Sequence, residues 1–445
     1  MAGLSYHLTT FGCQMNEHDS ERIDGLLESL GYSQADAPSD ADLILLNTCS
    51  IRESADRRLA TQLGNAKRFK AARPGVVIGV GGCWAQSLKD EVFERYPFVD
   101  VAFGPGQVDR LSEFLLSDSI EAQGYFEFGG FTADLPMRAH QGAQAWMQIS
   151  VGCNQKCSYC IVPSTRGLEL SRPFADLVAE AEQLVCRGAR EITLLGQNVN
   201  SYGRDLRPDP RTFSELLAAV DGVEGVDRLR YTSPHPQDMN TDVVAAHVEL
   251  ESVCEHIHLP LQSGSSKILK AMRRTYDRDR YLARVAMIRE AIPDISLTTD
   301  IIVGFPGESE ADFEQTLALA EEVQFDAAYT FIYSPRRDTE AALITEGLVS
   351  ADQASERIGR LIEVVQRGAL ERAQRFVERS VEVLVEGRSR TDAERIRGRT
   401  RHNKAVNFVG IAEPGELVMV EIESATSTSL SGRATLLASA LRLSA

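Results

Sequence analysis

The stretch VGCNQKCSYCIVP, residues 151 to 163, carries Cys153, Cys157 and Cys160 at spacings of four and three, with no fourth cysteine and no histidine close by. A structural zinc site closes with four ligands, often two CxxC pairs, and this loop offers one pair and one further thiol. Iron-sulfur clusters are held by cysteine thiolates, normally four for a 4Fe-4S cube. Three thiolates leave one iron with a position for an exogenous ligand, and an open metal position is where chemistry can take place.

Three more thiols stand near the start of the chain. Cys13, Cys49 and Cys83 lie 36 and 34 residues apart, and each closely follows an apolar run: YHLTTF, DLILLN and VVIGVG. Helix-length segments separate these runs, which indicates parallel βαβ units and a small doubly wound α/β domain. Ligands of such sheets bind beyond the carboxyl ends of the strands, so the three thiols can converge at one edge. The competing reading is three unrelated core cysteines, since free Cys often serves as a small apolar residue. The run GVGGCW fails as a dinucleotide loop, because counting GxGxxG from Gly79 places Trp84 at the third glycine. Its glycines are expected instead to let backbone approach a metal group near Cys83. Cys186 and Cys254 belong to neither trio and are expected to be buried structural residues.

The passage EAQGYFEFGGFTADLPMRAHQG interrupts the strand-helix rhythm and reads as a linker. The rhythm then resumes with six candidate strands, AWMQISV, EITLLGQ, RLRYTS, EHIHLPLQ, LTTDIIVG and DAAYTFIY. Six strand-helix units fit a partial (β/α) barrel whose working residues sit in the loops after the strands. Short alternating segments from VEVLVEG onward, parted by Gly, Pro and polar turns, suggest a small antiparallel β barrel. The expected organisation is an N-terminal α/β domain over 1–120, a linker over 121–140, a partial barrel over 141–371 and a C-terminal barrel over 372–441.

Composition bounds the partners. With 47 Lys and Arg against 64 Asp and Glu the formal net charge is −17, which disfavours a polyanionic partner overall. Residues 52 to 73 reverse the sign with seven basic against two acidic positions, and residues 386 to 404 with seven against three. Residues 267 to 280 add six against two. Such stripes are either solvated faces or a nucleic-acid footprint. Neither a signal segment nor a long apolar run is evident, so no membrane association and a cytoplasmic location are expected. Eight cysteines in 445 residues are too few for a disulfide scaffold.

The triad after the first barrel strand resembles that of the radical S-adenosylmethionine (radical SAM) superfamily. Together with TFGCQMNEHDS, LLNTCSIRESA, GVGGCWAQ, LLGQNVNSYG, HLPLQSGS, DIIVGFPGE and GRTRHNKAVNF, it resembles the radical SAM methylthiotransferases from about Leu4 to about Leu437. The resemblance implies two 4Fe-4S clusters. Cys153, Cys157 and Cys160 would hold the one that binds S-adenosylmethionine and generates a radical; Cys13, Cys49 and Cys83 would hold an auxiliary cluster carrying the sulfur to be donated. Tyr159, Gln197 and Asn198 fall where the family contacts the cofactor. The implied reaction puts a methylthio group on carbon 2 of the adenine of N6-dimethylallyladenosine next to the tRNA anticodon. Family alternatives are threonylcarbamoyl-adenosine in tRNA or a ribosomal-protein aspartate, and a non-catalytic metal-containing RNA-binding protein is the reading from another class.

A C–H bond lacking acidity is opened by a radical rather than by an ordinary base, so no catalytic carboxylate or histidine is assigned. His235 in SPHPQD is expected to serve loop structure ahead of substrate contact. The C-terminal barrel resembles a TRAM domain, an RNA-binding module, and Arg395, Arg397, Arg399, Arg401 and Lys404 supply a positive stripe whose alternate residues share a strand face. The implied partners are the tRNA anticodon loop and a low-potential electron donor such as a flavodoxin or ferredoxin, and the chain is expected to act as a monomer.

Overall fold

The computed structural model describes residues 3–50, 53–117, 121–128, 131, 135–136, 142–389, 392 and 394–435. The first unit runs β1 (Ser5–Phe11), α1 (Gln14–Ser29), β2 (Ser33–Gln34), β3 (Leu43–Thr48), α2 (Glu53–Ala72), β4 (Val77–Gly82), α3 (Cys83–Leu88), α4 (Glu91–Arg95), β5 (Val101–Phe103), α5 (Arg110–Leu116) and β6 (Gln123–Tyr125). Its sheet is parallel throughout, in the order β2-β1-β3-β4-β5-β6. The alternation in LILL explains the double winding, since successive strand residues face opposite sides. Ile44 and Leu46 pack with Leu59, Leu63 and Ala66 of α2, whereas Leu43 and Leu45 pack with Ile23 and Leu27 of α1 and Leu111 of α5. The passage read as a linker contributes β6, a three-residue edge strand whose shortness hides it among the surrounding glycines.

The central unit runs β7 (Gln144–Gln148), β8 (Ser150–Val151), α6 (Val162–Arg166), β9 (Leu170–Ser171), α7 (Phe174–Cys186), β10 (Glu191–Leu195), α8 (Phe213–Asp221), β11 (Arg228–Tyr231), α9 (Thr241–Glu249), β12 (His256–His258), α10 (Ser266–Ala271), α11 (Arg278–Ala291), β13 (Ser296–Val303), α12 (Glu310–Val323), β14 (Ala327–Ile332) and α13 (Ala351–Gln374). All six expected strands are present as β7, β10, β11, β12, β13 and β14. They pair in parallel as two three-stranded sheets, and a parallel bridge from Leu229 to Val253 joins the halves. One continuous core beneath them takes Met147, Ile192, Leu229, Ile257 and Leu297 from the strands and Leu177, Leu217, Val243, Ile288 and Phe313 from the helices. Helix α13 runs to Gln374, across the boundary expected at 371.

The last unit is a closed five-stranded barrel of β15 (Ser380–Arg388), β16 (Ile396–Thr400), β17 (Ala405–Val409), β18 (Leu417–Ala425) and β19 (Ser429–Ala434). It is not antiparallel throughout: β17 and β19 pair in parallel, which closes the ring. The barrel docks on the strands of the central unit. Arg228, fully buried, donates to Arg399 O at 2.7 Å and Glu382 Oε1 at 2.8 Å, and Arg230 donates to Thr400 O and Arg401 O, each at 2.8 Å.

That docking takes two members of the basic stripe, Arg401 and Lys404, away from an RNA-facing surface. Arg401 donates to Glu255 Oε2 and Val253 O at 2.8 Å, Lys404 to Asp326 O at 2.7 Å, and Arg397 and Arg399 both engage Glu386. The alternate arginines do share a strand face, but two of the five basic groups join the units and two share one carboxylate.

Candidate iron-sulfur centres

The first trio is built by strand register. Phe11 pairs with Thr48 and Thr48 with Gly82, so β1, β3 and β4 end in one row. Cys13, Cys49 and Cys83 follow within two residues of that row. Neighbouring strands lie about 4.8 Å apart, which holds the three turns within ~10 Å. Gly12 and Gly82 permit the closeness: a Cβ at Gly12 would lie 2.6 Å from Cys49 Cβ, and one at Gly82, where φ is +93°, 2.3 Å from Thr48 O. The remaining glycines of GVGGCW serve the sheet rather than a metal group, Gly79 making room for Leu45 and Gly81 for Phe103.

Two buried asparagines tie the row together, and sequence reasoning missed both. Asn16 Oδ1 accepts from the Cys13 thiol at 3.4 Å while its Nδ2 donates to Thr48 O at 3.2 Å. Asn47 Nδ2 donates to Asn16 O at 2.8 Å and Ser20 Oγ at 2.9 Å. A hydrogen bond from Cys49, aided by the Arg166 guanidinium, pulls the Cys13 thiol down to about 6, whereas burial pushes Cys83 up.

The second trio is built by one loop. Cys153 N donates to Gly167 O at 3.1 Å, Cys160 N to Cys157 O at 3.1 Å, and Gln155 N to Cys153 Sγ at 3.4 Å. The loop is fastened from beyond β12, where Ser158 Oγ donates to Ala271 O at 2.9 Å and Ser158 N to Met272 O at 3.1 Å. Burial pushes Cys153 up to about 11 and Cys160 up to about 12, so a metal binding here displaces thiol protons. Arg274, hidden within the third basic run, turns inward: its Nη1 donates to Cys157 Sγ at 3.2 Å and its Nε to Tyr276 Oη at 3.0 Å. Hydrogen bonds to the ligand sulfurs are among the factors that set a cluster's potential.

Beside this loop, at the carboxyl ends of β7, β10 and β11, buried polar atoms lack partners among the described residues: Ser150 Oγ, Gln197 Oε1, Asn198 Oδ1 and His235 Nε2. A Cβ at Gly196 would sit 2.6 Å from Ser150 Oγ, so the cradle is open because that residue is glycine. Asn198 Nδ2 is held by Asp238 Oδ2 at 3.1 Å, which leaves its carbonyl free. Orphaned buried acceptors call for a polar ligand. Tyr159 packs against an apolar group of Ile268, Met272, Phe305 and Ala341. His235 exchanges hydrogen bonds with Asn200 through its backbone and accepts from Gln237 N at its ring, the structural role expected of it.

Among the described residues no three His, Cys, Asp or Glu side chains converge on the point of a single metal ion. Each trio brings three cysteines, one fewer than the four donors of a structural zinc shell. In a 4Fe-4S cube each thiolate takes its own iron, and three thiolates per trio hold three of its four irons. Cys254 is buried, but Cys186 is exposed at the end of α7, contrary to expectation, because it falls on that helix's outer face. No helix of the described residues is long and apolar enough to cross a membrane.

Comparison with known proteins matches this division. The model described as "Uncharacterized protein family UPF0004" fits residues 5–104, that of the radical SAM superfamily residues 147–320, and that of the TRAM domain residues 374–435. Among solved structures, the radical S-adenosylmethionine methyltransferase TsrM from Kitasatospora setae superposes with TM-score 0.56 at 12% identity, covering 77% of this chain and 74% of its own, a likeness of fold alone. A protein of Carboxydothermus hydrogenoformans named tRNA-2-methylthio-N(6)-dimethylallyladenosine synthase is 46% identical over 429 residues, covering 95% of this chain and 97% of its own. One of the same name from Thermoanaerobacter sp. is 44% identical over 436 residues, covering 96% and 92%. Kinship this even from end to end leaves one conclusion: the chain belongs to the family of tRNA-2-methylthio-N(6)-dimethylallyladenosine synthases.

Proposed function

We propose that this protein transfers a methylthio group to carbon 2 of the adenine of N6-dimethylallyladenosine, next to the anticodon of tRNA. The observation that carries the reading is the pair of thiol trios, one in register across β1, β3 and β4 and one in the loop after β7, in a chain so similar to synthases of that name. Membership of the radical SAM superfamily brings a 4Fe-4S cluster and S-adenosylmethionine. Cys153, Cys157 and Cys160 hold that cluster in this reading, and Cys13, Cys49 and Cys83 hold a second. When bound, the clusters and S-adenosylmethionine supply sulfur, a methyl group and a carbon-centred radical able to take the hydrogen from carbon 2.

The chain's own residues bind and orient. Gln197 and Asn198 offer their unpartnered carbonyls to the cofactor's N–H and O–H donors, and Ser150 Oγ joins them. Arg274 balances the Cys157 thiolate and holds it by a hydrogen bond. Tyr159, seated in its apolar group, shields the cluster on Cys153, Cys157 and Cys160 rather than lying on the adenine. The TRAM barrel and the substrate named for the relatives favour tRNA as the macromolecular partner. A low-potential flavodoxin or ferredoxin supplies electrons, and the protein works as a monomer in the cytoplasm. Mass spectrometry of tRNA nucleosides from a strain lacking the protein tests the reading. Loss of the methylthio group from dimethylallyladenosine is expected, and its loss only from threonylcarbamoyl-adenosine or from a ribosomal protein would overturn it.

A further inference from the structure

Helix α1 begins one residue after Cys13, and α6 two residues after Cys160. Asp19 lies six positions after Cys13, and Arg166 six positions after Cys160. These two side chains meet between the units: Arg166 Nη2 donates to Asp19 Oδ2 at 2.9 Å, with only 5% and 2% of the side chains exposed. The charge of the same guanidinium acts on both Cys83 and Cys13, favouring their thiolates. Helix α3, which opens with Cys83, packs against α6. One turn further along α1, Arg22 reaches Glu180, which also accepts from Arg172 Nη1 at 2.5 Å.

A buried ion pair adds little net stability, because desolvating two charges offsets most of their attraction. Apolar side chains would join α1 to α6 at least as well. What an apolar contact cannot do is place a cation against the thiols of another unit.

We propose that the Asp19–Arg166 pair is a positioning device between the two centres: Arg166, carried on the helix that follows the second trio, sets the charge felt by a cluster on Cys13, Cys49 and Cys83, and Asp19 holds it there. The inference rests on the reading that the first trio holds a cluster. Arg166 and Asp19 are positioning residues, and their charges act on that cluster with opposite sign.

The test uses the full chain with Cys153, Cys157 and Cys160 replaced by alanine, reconstituted with iron and sulfide under anaerobic conditions, so that only the first trio contributes a signal. Iron and a paramagnetic reduced state in that chain establish the cluster; their absence would overturn the reading of the site and the proposal with it. With the cluster present, redox titration followed by electron paramagnetic resonance is repeated on four variants. Arg166→Gln removes the cation and is expected to lower the reduced-to-oxidised ratio at fixed poise about tenfold, a shift of about 59 mV to more negative potential. Asp19→Asn should move the potential the other way. Arg166→Lys should stay near the starting value, and the neutral double variant Asp19→Asn with Arg166→Gln should return towards it. Equal potentials across the series, or shifts of one sign for Arg166→Gln and Asp19→Asn, would overturn the proposal while leaving the cluster assignment standing.

Discussion

The two thiol trios reach similar chemistry by opposite routes. Cys13, Cys49 and Cys83 come from three strands and meet only when β1, β3 and β4 pair in register. Cys153, Cys157 and Cys160 share one loop and need little more than its turns and the clasp of Ser158 on Ala271. The first centre is a product of tertiary structure, with its sensitivity spread over the sheet. The second is a product of local sequence, with its sensitivity concentrated in the ligands.

Substitutions can break that contrast in either direction. The largest effect is expected from Cys157→Ala, which should abolish cleavage of S-adenosylmethionine while about four of about eight irons remain on the first trio, as iron analysis would measure. Retained cleavage would remove the second trio from the reaction. Gly82→Ala should give the mirror image. The new Cβ would lie 2.3 Å from Thr48 O at a φ of +93°, a strain of about 1–3 kcal/mol placed directly before Cys83. Iron at the first trio should fall while cleavage of S-adenosylmethionine survives.

Asn47→Ala removes three buried hydrogen bonds, to Asn16 O, to Ser20 Oγ and from Asn16 Nδ2, and should cost about 1–3 kcal/mol of stability in denaturant titration. It should weaken iron retention at the first trio alone. Ser158→Ala should act on the second trio alone, and by only about 1 kcal/mol; equal damage to both centres would show that they are not independent.

A comparable change follows from acid, through the scaffold under the local loop. His247 is buried, with Nε2 2.7 Å from Tyr231 Oη, and burial holds its imidazole down to about 4 against an ordinary value of 6.5. Between those values the unfolded chain takes up a proton that the folded chain refuses. Stability should therefore be full above pH ~6.5 and decline by up to ~3 kcal/mol as the pH falls to ~4. His247→Phe should make that limb of the melting-temperature profile shallower, with His235, held down to about 3 by burial, still contributing.

What was legible in the sequence follows the same contrast. Cys13, Cys49 and Cys83 announced themselves because each follows an apolar run, Cys153, Cys157 and Cys160 by their close spacing, and the six barrel strands because their alternation with helices is regular. Asn16, Asn47, Arg166 and Arg274 carried no such mark. An asparagine among polar neighbours, or one arginine in a basic run, acquires its role only from what folding brings against it. Arg274 lay in the run KILKAMRRTYDRDR, which as sequence suggests only a solvated or RNA-facing surface. Strand β6 was hidden by its length of three residues. In the basic stripe of the last barrel Arg397 and Arg399 do share a strand face and one carboxylate, but alternation cannot tell that Arg401 and Lys404, past the end of β16, meet another unit.

The joint at that face has a consequence for how the chain can change over time. Arg228 and Arg230 grip the barrel mainly by the main-chain oxygens of residues 399, 400 and 401, which every amino acid possesses. Side chains of the barrel that make no contact across the joint are therefore freer to drift than Arg401 and Lys404, whose own side chains also hold the seat, and a different nucleic-acid surface can evolve around those two fixed points.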